Sequence, residues 1–270
     1  MATSSHSPLK RLLGLIGFSW HSLSQAYGRA FLWRVVLRHP LNAWRSLWAF
    51  GRTLAMVQPE RRSLFVGSED EFLQQAALSG KQLLVATGFC QKPLRTSGAG
   101  FNCPAERFDH DCLYLLRLLL DSDPSTPDAH ACAGCFVAVL GRAALDAGAS
   151  FAVLTSASDI ARDILRPALE QGRFRHALFA ICPYSVEPLA LALSVSGMSG
   201  YLFAYDSGAC ADYGQWLRAD HGDKLERTTL SPGNTEQLLA LLARITALHR
   251  QQGILPPSRY LYQDQVFRPQ

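Results

Sequence analysis

Seven cysteines are the residues of this chain best equipped for chemistry, and all of them fall between Cys90 and Cys210. Cys132-Ala-Gly-Cys135 is the sharpest arrangement. A two-residue spacing lets both sulfurs face one centre, and Gly134 permits the tight turn between them. Cys103 and Cys112 are the nearest upstream partners. Four thiolates suit either Zn²⁺ or an iron–sulfur cluster, because both favour soft sulfur ligands. The order Cys103, Cys112, Cys132, Cys135 has the spacing of no standard zinc ribbon or ferredoxin run. It therefore points to a metal, an iron–sulfur cluster first and zinc as the alternative, without fixing which. Cys90, Cys182 and Cys210 stand in reserve as cofactor-binding residues, although Cys90 and Cys182 lie in apolar runs where a cysteine is equally at home as core.

The competing sulfur chemistries have less behind them. An odd cysteine count leaves one thiol out of any complete disulfide pairing, and 270 residues do not need staples to hold a core, so reduced thiols are expected. A thioredoxin-type dithiol should follow a strand and open a helix, whereas a Pro- and Asp-rich stretch, 121–131, precedes Cys132. His110 and His130 flank Cys112 and Cys132 as secondary metal candidates, with solvent-facing loop positions the commoner role. Asp206 follows an apolar run and caps a turn at Ser207-Gly208 more readily than it catalyses. Ser156 and Ser158 in TSASD resemble a phosphate-holding turn, but no glycine-rich loop accompanies them. No GxGxxG after a strand, Walker, HExxH or GxSxG motif occurs, which removes support for most familiar nucleotide enzymes and hydrolases.

The elements that must position the cysteines alternate. Short apolar runs at 81–90, 150–157, 176–184 and 200–206 are bounded by Gly, Pro or polar residues and read as strands. Between them, 107–120, 136–147, 159–171 and 186–195 read as helices, Ser158 or Asp159 capping the third and Gly172 closing it. A last helix is expected over 234–251, where Leu238, Leu241, Leu242, Ile245 and Leu248 form one stripe. Runs apolar on both faces and alternating with helices imply an α/β fold: a parallel sheet of about four or five strands with helices on both faces, a Rossmann-like three-layer arrangement. In such a sheet ligands collect beyond the carboxyl ends of the strands, where Cys90, Cys182 and Cys210 fall.

Charge divides the chain further. The stretch 1–59 holds seven of the 26 basic residues, no acidic residue and four of the five tryptophans. The remainder sets 19 basic against 22 acidic residues, too acidic a balance for a nucleic-acid-binding face. Three parts are expected: a basic, Trp-rich amphipathic helical leader at 1–59, a cysteine-rich α/β domain at 60–252, and an extended tail at 253–270. A helix over 41–55 places Trp44, Leu47, Trp48 and Leu54 on one arc, with Asn42, Ser46, Ala49 and Thr53 opposite. Indole rings favour the headgroup layer and arginines snorkel toward anionic lipid, so the leader is expected on a membrane surface. The competing reading packs the Trp face on the body. A cleaved secretory signal or an organelle transit segment are the targeting alternatives.

Cys132 and Cys135 before a helix, Gly148, the strand from Phe151, the Ser156–Asp159 turn and Ile181-Cys182-Pro183 together resemble the domain of unknown function 116 family of cysteine-rich prokaryotic proteins, over about residues 100–210. The resemblance implies metal binding and no particular activity. The function expected is that of a cysteine-ligated metal protein, peripheral to the inner face of a membrane, with a redox or redox-accessory role. A membrane-bound enzyme or a lipid-soluble substrate is the partner implied. The alternatives are a Zn-stabilised assembly module, or a metal-free enzyme with Cys182 or Cys210 as nucleophile.

Overall fold

The computed structural model describes residues 32–53, 63–67, 69–93, 103, 109–119, 132, 134–155, 159–220, 223–224, 226–255, 257 and 259–270. A seven-stranded mixed sheet forms the middle layer, in the order β1-β5-β4-β2-β3-β7-β6. Its strands are β1 (Ser63–Val66), β2 (Leu83–Gly88), β3 (Ser150–Leu154), β4 (His176–Ile181), β5 (Ser199–Ala204), β6 (Tyr260–Gln263) and β7 (Val266–Pro269). The four apolar runs supply the central strands β5, β4, β2 and β3, which are mutually parallel. The sheet exceeds the expected four or five strands because both edges are finished with antiparallel pieces. β1 pairs with β5, and the hairpin β6–β7 pairs with β3.

These antiparallel strands escape the sequence pattern for a physical reason. Each is only four residues long, and β6 alternates half-buried with exposed residues rather than running apolar on both faces. The hairpin turns on Asp264 and Gln265, both with positive φ (52° and 61°), without the Asn-Gly or Asp-Gly signature such a turn usually shows.

Helices cover both faces. They are α1 (Pro40–Thr53), α2 (Glu69–Leu78), α3 (Leu113–Leu119), α4 (Phe136–Asp146), α5 (Arg166–Gln171, entered through a wider helical turn at Ile160–Leu165), α6 (Val186–Val195), α7 (Tyr213–Asp220) and α8 (Pro232–Gln251). Strand β2 shows the period of two that separates the layers. Leu83 and Val85 enter one core with Phe72 of α2, Leu140 of α4 and Leu238 of α8. Leu84 and Ala86 enter the other with Ile164, Leu189 of α6 and Ala43 of α1. α5 ends at Gly172, whose left-handed φ of 61° closes the helix as expected. Asp159 does not cap that helix. Its carboxylate accepts from the Thr155 hydroxyl at 3.0 Å and pairs with Arg162 at 2.7 Å.

α1 docks on its small residues. Ala43 and Ser46 are buried, while Trp44 is 64% exposed and Leu41, Leu37 and Trp33 are exposed beside it. Arg38 pairs with Glu170 of α5 at 2.6 Å and fixes the approach. The buried side chains of this helix are thus small ones, while most of the Trp44 surface is open to solvent. The side chains of Leu47 and Trp48, and Leu54 altogether, lie outside the described residues. No helix among the described residues is long and apolar enough to cross a membrane.

Candidate sulfur sites at the strand ends

The chain leaves β2 toward β3 on one side and returns to β4 on the other, so strand order reverses between β2 and β4. The gap beyond their carboxyl ends is where an open sheet offers a crevice. A cavity of about 110 Å³ lies there, walled by Ile181, Leu189 and Trp216, with Cys90, Cys182 and Cys210 among its lining. Cys90 sits on the tight turn Phe89–Gln91 directly after β2, and Cys182 directly follows β4.

Tyr205 pins this end of the sheet. Its single hydroxyl proton goes to the Ala180 carbonyl oxygen at 2.6 Å. The Tyr205 hydroxyl oxygen in turn accepts from the Gly88 N–H at 2.7 Å, and the Thr87 hydroxyl donates to it at 3.2 Å, since the tyrosine proton is already committed. One side chain following β5 therefore ties together the ends of β2 and β4. Burial holds the phenol well above its ordinary pKa, and it stays protonated. A Cβ on Gly88 would stand 2.9 Å from the Tyr205 oxygen and 3.2 Å from the Cys90 sulfur, so glycine is required for this approach.

The three crevice thiols are unequal. Cys182 is in hydrogen-bond contact with Cys210, and this contact, with burial, pushes the Cys182 thiol far up. The same contact lowers Cys210 to about 6, against burial, with help from Lys224, whose Nζ donates to the Cys210 sulfur at 3.3 Å. Cys182 is the proton donor of the pair and Cys210 the thiolate.

The other four cysteines lie within electrostatic reach of one another, and none lines the crevice. Cys112 stands at the head of α3 and Cys135 at the head of α4, their carbonyls accepting the first helical bonds from Leu116 at 2.9 Å and Val139 at 3.0 Å. The Cys135 N–H closes the two-residue turn onto the Cys132 carbonyl at 3.0 Å. Cys112 lies within electrostatic reach of Cys135, Cys132 and Cys103 together. Burial pushes its thiol up to about 12, opposed by the Leu115 N–H. Burial also raises Cys135, opposed by the N–H groups of Ala138 and Val137. Cys103 and Cys132 are half-buried. None of the seven cysteines is joined in a disulfide. Among the described residues, no group of three or more His, Cys, Asp and Glu side chains is arranged to hold a metal ion.

Two buried polar residues accompany the four thiols. Lys92 is 1% exposed and donates to the carbonyl oxygens of Asp109 and Asp111 at 2.6 and 2.7 Å. Burial lowers its pKa, and the nearby Cys103 and Cys112 sulfurs oppose that most. Gln91, between Cys90 and Lys92, is also 1% exposed, and both atoms of its amide lack a hydrogen-bond partner among the described residues.

Several site features carry no strong sequence signal. The C-terminal hairpin steadies the Cys112 loop, since the Tyr262 hydroxyl donates to Asp111 at 2.6 Å. Thr228 donates from its N–H to the Cys90 carbonyl at 3.0 Å, and Arg227 reaches the Gly134 carbonyl at 3.4 Å. Lys224, on that same connection, is an isolated lysine in a loop. His110 is engaged within the fold: Nδ1 meets the Val153 carbonyl at 2.8 Å and Nε2 the Thr155 hydroxyl at 2.7 Å. The Asp206 N–H donates to Thr229 at the start of a bridge between Ser207 and Thr229. His130, Ser156 and Ser158 lie outside the described residues. No protein-family model, no curated protein and no solved structure matches this chain.

Proposed function

We propose that Cys103, Cys112, Cys132 and Cys135 hold a soft metal centre, an iron–sulfur cluster, and that the protein works in electron transfer at a membrane surface. The observation that carries this is that the thiols of Cys103, Cys132 and Cys135, from two further chain segments, lie within electrostatic reach of Cys112. Separate irons of a sulfide-bridged cluster can each take one cysteine, so the four sulfurs need not share a single ion. When bound, the group would supply one-electron chemistry. The residues of the chain orient and insulate it. The N–H groups of Leu115, Val137 and Ala138 point at the ligand sulfurs and stabilise negative charge there. Lys92 brings a buried amine to the same place, a costly burial that an anionic neighbour offsets. The orphaned amide of Gln91 gains partners if a group occupies this side of the turn.

The reversal of strand order between β2 and β4 supports reading the parallel core as Rossmann-like. The exposed Trp33, Leu37, Leu41 and Trp44, on an acid-free segment, support placement on an anionic lipid surface at the inner face of a membrane, with a membrane enzyme or lipid-soluble substrate as partner. The test is to replace Cys103, Cys112, Cys132 and Cys135 singly by Ser in protein purified without oxygen. Each replacement is expected to remove iron and visible absorption. Retention of both in all four variants would overturn the assignment.

A further inference from the structure

The crevice carries a second sulfur site, built from residues distinct from the four-cysteine centre. Two observations single it out from ordinary core cysteines. Cys182 and Cys210, brought together from the ends of β4 and β5, are in hydrogen-bond contact with each other. Cys210 also receives a cation, the Lys224 ammonium at 3.3 Å from its sulfur. Titratable groups facing the pair include Lys224 from the connection after α7, Asp212 from the loop of Cys210, Cys90 from the end of β2 and the protonated Tyr205 phenol after β5. Lys224 favours the Cys210 thiolate, Asp212 opposes it, and the Cys182 S–H donates to it. Cys90 makes ionisation of Cys182 harder. Both cysteines line the cavity along with Leu189 and Trp216, so a small molecule bound there meets them together.

We propose that Cys182 and Cys210 form a dithiol–disulfide pair acting on a small organic disulfide bound in the crevice, with Cys210 attacking and Cys182 resolving. The Cys210 thiolate attacks one sulfur of the substrate disulfide. A Cys210–substrate disulfide forms, the substrate S–S bond breaks, and the departing thiolate takes the proton of Cys182. The Cys182 thiolate then attacks the Cys210 sulfur, forming the Cys182–Cys210 disulfide and releasing the second substrate thiolate, which is protonated by solvent. The two protein sulfurs lose two electrons in total and the substrate gains them, becoming two thiols. An asymmetric pair is what this requires: a thiolate to attack, and a neighbouring thiol that keeps its proton until the first bond has formed.

The test uses the full-length protein as isolated, treated with oxidised glutathione and read by peptide mass spectrometry. A disulfide joining the Cys182 and Cys210 peptides is expected. Cys182→Ser should trap glutathione on Cys210, Cys210→Ser should abolish the reaction, and Lys224→Gln should slow it about tenfold near neutral pH by raising the attacking thiol. Iron content is expected unchanged in Cys182→Ser and Cys210→Ser, which separates this site from the four-cysteine centre. Glutathione captured on Cys90 in place of Cys210, absence of reaction in protein with an intact circular dichroism spectrum, or loss of iron from either variant would overturn the proposal.

Discussion

Lys224 and Cys210 are 14 positions apart in sequence and 3.3 Å apart at Nζ and Sγ, both in the lining of the crevice. The helix α7 between them supplies Trp216 to the cavity wall, so one excursion of chain delivers a wall, a thiol and the cation that favours its ionisation. With Cys182 also donating to Cys210, one sulfur of a buried pair is held charged and the other neutral.

The pair gives stability a pH signature. Cys210 titrates near 6 in the folded protein, below the ordinary thiol value of 9.0, while Cys182 titrates above it. Between those two values the unfolded chain binds more protons than the folded one, so stability rises as pH rises. Above the ordinary value, folded Cys182 keeps a proton that the unfolded chain has lost, and stability falls. Urea denaturation of wild type minus the Cys182→Ser/Cys210→Ser double variant is expected to show a difference that peaks near 9.

Tyr205→Phe leaves the Ala180 carbonyl and the Gly88 N–H without their partner in the interior. The expected loss is about 1–3 kcal/mol per unsatisfied group, measured by urea denaturation. Gly88→Ala drives a methyl against the Tyr205 oxygen and is expected to cost about 1–3 kcal/mol through overpacking.

Much of the parallel core was legible in the sequence because a strand buried on both faces is a continuous apolar run, as Ala177–Ile181 shows. The same logic fails at the edges. Tyr260–Gln263 alternates exposed and half-buried residues over only four positions, too short a window to separate a strand from an extended tail. Among the sites, Cys132 and Cys135 announce themselves by spacing. Cys182 and Cys210 are 28 positions apart: one directly follows β4, the other lies six residues past β5, and the parallel pairing of β4 and β5 brings these chain ends to one side. Lys224 and Tyr205 carry no local pattern, since their roles exist only across strands.

Truncation before Arg259 removes β6 and β7 and turns β3 into an exposed edge with the apolar sequence Phe151, Ala152, Val153 and Leu154 unpaired on one side. The truncated protein is expected to aggregate on concentration, checked by light scattering against the full chain.

Trp33→Ala together with Trp44→Ala removes two exposed indoles from the leader without touching the buried Ala43 and Ser46. Flotation with anionic vesicles is expected to fall, while the denaturation midpoint stays within about 0.5 kcal/mol of wild type in stability terms. Binding of wild type should also weaken as salt is raised.

The most direct measurement is the iron, acid-labile sulfide and zinc content per chain of protein purified without oxygen. The account predicts iron and sulfide in equal amounts, about four of each for a cluster of the cubane type, and no stoichiometric zinc. One zinc per chain with no iron, or no metal at all, would contradict it.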